Sequence, residues 1–124
     1  MPHRAYWEHA ALELIYLEDS YVFGIEECAG ELVFEMEFVL REEHPLYEPP
    51  KPSDQYCFRK GRLVFRDVKE VKWLERRDVG SWDATGQRDF GNIDALHQDD
   101  HGWFQLEGDW GKVDVRAEGV EVRF

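Results

Sequence analysis

The sequence predicts an α+β domain dominated by antiparallel sheet, with about seven short strands in meanders and one helix at the N-terminus. Three observations carry that expectation. Residues 32–40 alternate apolar and mostly acidic side chains, residues 5–16 repeat apolar side chains at helical spacing, and glycine-centred turns recur through the C-terminal third. At 124 residues the chain suits one domain, residues 1–124, and that length buries a core without staples. A hydrophobic content of 43% with 15% aromatics excludes a disordered acidic chain.

The elements follow in chain order. Tyr6, Trp7, Ala10, Ala11, Leu14 and Ile15 recur at i, i+3, i+4 among good helix formers, which predicts a helix over about 5–16. Tyr21 to Ile25 changes to aromatic and β-branched residues, and Cys28-Ala29-Gly30 reads as a turn. Leu32, Phe34, Met36, Phe38 and Leu40 then mark one face of a strand, completing a hairpin. Four of the five prolines fall at Pro45, Pro49, Pro50 and Pro52, so 41–55 reads as an extended connection within the domain. Residues 56–58 and 63–65 flank Lys60-Gly61 as a second hairpin, and 68–74 continue as a further strand with a bulge. Residues 103–106, 113–117 and 120–124 read as three short strands, the last two divided at Gly119. Ahead of them, 76–102 shows no strand period; a short helix capped by Asn92 and ended by Gly102 is the expectation for part of it.

Charge narrows the function classes. Lys and Arg number 15 against 27 Asp and Glu, a net charge of −12, which repels nucleic acid. No apolar run reaches the length of a membrane span, and the opening residues lack the apolar core of a signal peptide. A cytoplasmic protein is the expectation, with Cys28 and Cys57 as free thiols. No GxSxG, Walker loop, GxGxxG or HExxH occurs, and the segment from Asp83 to Asp94 lacks the glycine and glutamate positions of an EF-hand. No catalytic residue, resident metal or cofactor is assigned.

The candidate site is an acidic stretch. Residues 78–109 hold eight Asp and Glu against Arg88 alone, a surface complementary to a basic partner protein. Asp89, Asp94, Asp99 and Asp100 supply charge, while Trp82 and Trp103 are candidate anchors beside them. On a helix, Asp94, His97 and His101 would share a face that can hold a divalent cation. The favoured reading is a non-enzymatic protein-binding module. The alternative is a metal-dependent hydrolase or small-ligand binder built on residues 89–101.

The order Leu17-Glu18-Asp19-Ser20-Tyr21-Val22, Gly30-Glu31-Leu32-Val33-Phe34 and Gly61-Arg62-Leu63-Val64-Phe65 to Val68 resembles small uncharacterised bacterial α+β domains. Some of these are grouped with the immunity proteins of polymorphic toxin systems. Glu18 stands where those domains carry histidine. Over residues 17–74 the resemblance implies a cytoplasmic binding protein that neutralises a toxin and has no catalytic residues.

Overall fold

A computed structural model shows an all-β protein. It describes residues 4–5, 12–50, 52, 56–76, 81–82, 88–89, 91–99 and 101–124. Among these residues nine strands follow in order: β1 (Arg4–Ala5), β2 (Ile15–Cys28), β3 (Glu31–Leu40), β4 (Phe58–Arg76), β5 (Ser81–Trp82), β6 (Arg88–Asp89), β7 (Ile93–Gln98), β8 (Trp103–Gly108) and β9 (Gly111–Arg123). β5 and β6 form a small ribbon, and the rest make one antiparallel sheet of order β1-β7-β8-β9-β4-β3-β2. Two three-stranded meanders, β2–β3–β4 and β7–β8–β9, are therefore joined along β4 and β9.

The sheet curls into a half-barrel. Its two flanks meet where Val22 donates its N–H to the Gly91 carbonyl at 2.7 Å and Asn92 Nδ2 donates to the Glu18 carbonyl at 2.6 Å. Curling places the inner faces of both meanders against each other. Leu32, Phe34, Met36, Phe38 and Leu40 of β3 point inward together, because side chains on a strand alternate with a period of two. They meet Leu63 and Phe65 of β4, Phe104 and Leu106 of β8, and Val113 and Val115 of β9. An aromatic chain crosses this core: Phe104 to Phe65 at 5.1 Å, Phe65 to Phe34 at 6.2 Å, Phe34 to Trp110 at 5.3 Å and Trp110 to Trp73 at 6.0 Å between ring centroids.

Val33 and Val64, paired across β3 and β4 on the outer face, are buried as well. Around them run Arg62–Glu35 (3.4 Å), Arg66–Glu121 (3.2 Å), Arg123–Glu31 (3.0 Å) and Arg123–Glu121 (3.0 Å). The aliphatic stems of such side chains cover apolar surface while their charged ends stay wet. Arg123 holds the Glu121 carboxyl below its ordinary range, chiefly by that hydrogen bond.

Several sequence expectations are corrected here. No helix occurs among the described residues, so the fold is all-β rather than α+β. Where the predicted N-terminal helix is described, Arg4–Ala5 is strand, 12–14 is a turn and Ile15 begins β2; residues 6–11 lie outside the described set. The cause is tertiary. Ile15 pairs with Leu40, and the Leu14 carbonyl accepts the Arg41 N–H, so the chain is drawn into the sheet despite its helical spacing. The short helix expected after Asn92 is instead β7, with Ile93 and Leu96 turned into the core.

The hairpin expected at Lys60-Gly61 does not form either. β4 runs straight through it, because a Cβ at Gly61 would lie 2.5 Å from the Arg123 carbonyl and glycine alone admits that approach. β9 likewise passes through Gly119 without a break, so two expected strands are one. β4 bends instead at bulges, with Asp67 in the left-handed region at φ 50° and register shifts before Glu70 and Glu75.

Candidate acidic cleft and sheet edge

Three carboxylates converge beside β2 among the described residues, and an irregularity in that strand brings two of them there. Tyr16 pairs with Val39 and Tyr21 with Glu37, so residues 17–20 of β2 lie opposite the single residue Phe38. Such a bulge leaves ladder groups without partners. Ser20, fully buried, replaces them: its hydroxyl donates to the Tyr16 carbonyl at 2.7 Å and accepts the Val39 N–H at 2.9 Å. With Leu17 and Ser20 turned inward, Glu18 and Asp19 are thrown out to solvent.

Asp109 meets them from the β8–β9 turn. It closes on Gly91, where a Cβ would lie 2.6 Å from its Oδ2 and where φ is +89°, a conformation glycine favours. Glu18, Asp19, Tyr21, Tyr56, Gly91, Asn92 and Asp109 together line a cleft of about 310 Å³. Tyr21 is 41% exposed and packs on Phe58 at 6.1 Å, and Tyr56 stands edge-on to Phe58 at 6.1 Å. Carboxylates beside open tyrosine rings suit a lysine or arginine side chain, through ion pairing and cation–π attraction.

The surrounding strands reinforce that polarity. β2 and β3 carry seven carboxylates and no Lys or Arg, whereas β4 carries seven Lys and Arg against three acids. β3 is thereby matched on one side by β4, as the Arg62–Glu35 pair shows. β2 pairs in the sheet with acidic β3, while β6 and β7 pack along its other side.

Among the described side chains, those singled out from sequence do not line this cleft. Trp82 and Asp89 lie on β5 and β6, and Asp100 lies outside the described residues. Asp94 is exposed at a β7 bulge before Ala95. Asp99 is engaged structurally: its Oδ1 accepts the N–H of His101 at 2.8 Å and of Trp103 at 3.0 Å, closing the β7–β8 turn. His97 faces outward on β7, paired with Gln105, and lines a separate shallow cleft with Leu74, Lys112 and Asp114. Trp103 opens β8, with Lys72 Nζ at 5.2 Å and Arg116 Cζ at 5.8 Å from its ring. Among the described residues no group of three His, Cys, Asp or Glu side chains is placed to hold a metal ion. Of the described acidic side chains of the stretch, Asp109 reaches the cleft. Glu18, Asp19 and Tyr21 were missed, although the absence of any Lys or Arg between Arg4 and Arg41 is a signal that could have found them.

No family model, curated protein or solved structure matches the chain. Among the described residues, no helix is long and apolar enough to cross a membrane.

Proposed function

We propose that the protein is a non-enzymatic binding module that seats a cationic side chain of a partner protein in the tyrosine-rimmed acidic cleft. The convergence of Glu18, Asp19 and Asp109 from two distant segments onto one cleft, beside Tyr21 and Tyr56, carries this reading. A net charge of −12 supports it, since the same field steers a basic partner toward the protein from a distance. The resemblance of residues 17–74 to domains grouped with immunity proteins implies a role of the same class, neutralising a partner by occupying its basic surface.

A lysine heptapeptide is the direct probe. Its affinity, read by isothermal titration, should fall steeply between about 10 mM and 300 mM salt, as the screening length drops from about 30 Å to under 8 Å. The Glu18→Gln/Asp19→Asn variant should bind it about tenfold more weakly at low salt, since two exposed charge pairs at about 0.7 kcal/mol each sum to that factor. Equal affinity for the variant and the parent protein would remove the cleft as the seat.

A further inference from the structure

The proline-bearing connection between β3 and β4 is tied back to the sheet and encloses a second cavity, of about 400 Å³, with Arg41 in its wall. We infer that this cavity binds a small carboxylic acid with an aromatic or apolar body, and that the Arg41 guanidinium holds its carboxylate. The site is independent of the cationic partner proposed for the acidic cleft.

Arg41 follows β3 directly, and its backbone is fixed on both sides. Its N–H donates to the Leu14 carbonyl at 2.9 Å, and its carbonyl accepts the His44 N–H at 3.0 Å. The side chain lies over the Tyr16 ring, with Cζ 4.2 Å from the centroid. Its Nε is sealed from water and has no hydrogen-bond partner, the only such side-chain atom among the described residues. A charged donor left in that state destabilises the fold and calls for an acceptor. No described carboxylate lies within ion-pair distance of Arg41, although Glu42 and Glu43 follow it in the chain. Arg62, Arg66 and Arg123, by contrast, are each paired with a glutamate. A guanidinium steadied by an aromatic face, short of an acceptor and set in a cavity wall is a preorganised receptor for an oxyanion.

The rest of the wall selects which oxyanion. Glu42 and Glu43 line the same cavity, so a doubly charged phosphate would meet two like charges. A carboxylate carries one charge and matches the planar guanidinium with two parallel N–H···O bonds. Tyr16, Tyr47 and Tyr56, all half-buried, supply ring surface for the body of the acid. Their setting is firm: the Leu40 N–H donates to the Cys57 carbonyl at 3.0 Å, the Glu48 N–H to Cys57 Sγ at 3.4 Å, and the Tyr47 N–H to the His44 carbonyl at 2.9 Å. Long connections without regular structure commonly carry function, and a cavity of this volume falls within the range of small-molecule sites.

The test titrates the intact protein with 3-phenylpropionate and follows the Arg41 Nε–H by NMR. Saturable binding with a Kd of about 1 mM or tighter is expected, and the Nε–H resonance should move downfield as it gains an acceptor. Neutral 3-phenylpropanamide and inorganic phosphate should each bind at least about tenfold more weakly. Arg41→Lys keeps the charge but loses the fork, and should weaken 3-phenylpropionate by about tenfold or more. The Nε–H shift is read in the parent protein, so it decides the matter even where Arg41→Lys does not fold. Equal binding of acid and amide, or tighter binding of phosphate, would overturn the inference. So would the absence of binding at about 20 mM acid. Binding that appears only in Asp54→Asn would assign Arg41 to a carboxylate of this same connection, one outside the described residues, and would overturn it too.

Discussion

Ser20→Ala isolates one hydroxyl whose loss the fold has no simple way to absorb. In the β2 bulge that hydroxyl accepts the Val39 N–H and donates to the Tyr16 carbonyl, and the Ser20 side chain is fully buried. Alanine keeps the backbone and nearly the same volume but leaves the Val39 donor orphaned between two strands. An unsatisfied buried donor costs about 1–3 kcal/mol, and the Tyr16 carbonyl, only part-buried, adds about 0.5–1 kcal/mol. The expected loss is thus about 2–4 kcal/mol, a large fraction of the 5–15 kcal/mol typical of a domain. Urea unfolding followed by tryptophan fluorescence should show the midpoint falling by at least about 0.7 M with the slope unchanged, for a slope of about 1–3 kcal/mol per M. Because the same bulge projects Glu18 and Asp19, the folded variant should also bind the lysine heptapeptide more weakly. A loss under about 0.5 kcal/mol would show that the Val39 amide reaches water, and the argument for a sealed bulge would fail.

Two further perturbations probe other parts of the sheet. His44 is held below its ordinary pKa of 6.5, first by burial and then by the Arg59 charge, and its Nδ1 accepts the Leu46 N–H at 3.0 Å. Its neutral form therefore stabilises the fold fully above pH 6.5, and that contribution is lost as pH falls through the lowered value; the melting temperature of His44→Gln should decline less on acidification than that of the parent protein, and parallel declines would refute the assignment. Gly30 and Gly111 both have positive φ, but a Cβ at Gly30 meets nothing within 4 Å whereas one at Gly111 collides with the Glu75 backbone. Gly30→Ala should cost about 1 kcal/mol and Gly111→Ala about 2–4 kcal/mol by urea unfolding, and equal costs would refute the close β4–β9 approach.

What could be read beforehand was what lies in local periodicity. The alternation of Leu32 to Leu40 located β3 and its inward face, and the turn at Ala29-Gly30 gave the β2–β3 hairpin. Residues 5–16 misled because helical spacing of Tyr6, Trp7, Ala10 and Leu14 is a local preference, whereas Ile15 answers to Leu40, twenty-five residues away. Gly61 and Gly119 read as chain reversals, since a glycine that turns and one that admits a neighbouring backbone look alike in sequence. The same limit applied to the cleft. Asp109 fell within the acidic stretch, but Glu18 and Asp19 join it only after the half-barrel curls, and nothing local announces the bulge at 17–20. Asp99, singled out for its charge, also closes its own turn through Oδ1.

The pairing of β4 with β9 has a kinetic consequence. β2, β3 and β4 follow one another along the chain, as do β7, β8 and β9, so each meander can assemble from neighbours. The rows that weld them, such as Trp73↔Val113 and Leu63↔Val122, join residues 40 to 59 positions apart. Closing loops of that length precedes any reward from the contacts, which slows folding in proteins dominated by distant pairings. Until β9 docks, β4 exposes Leu63 and Phe65 on one face and an unpaired edge along its whole length. A nascent chain released before Gly111 would carry that edge into solution with no strand to cover it, and its fate would turn on how soon another chain finds it.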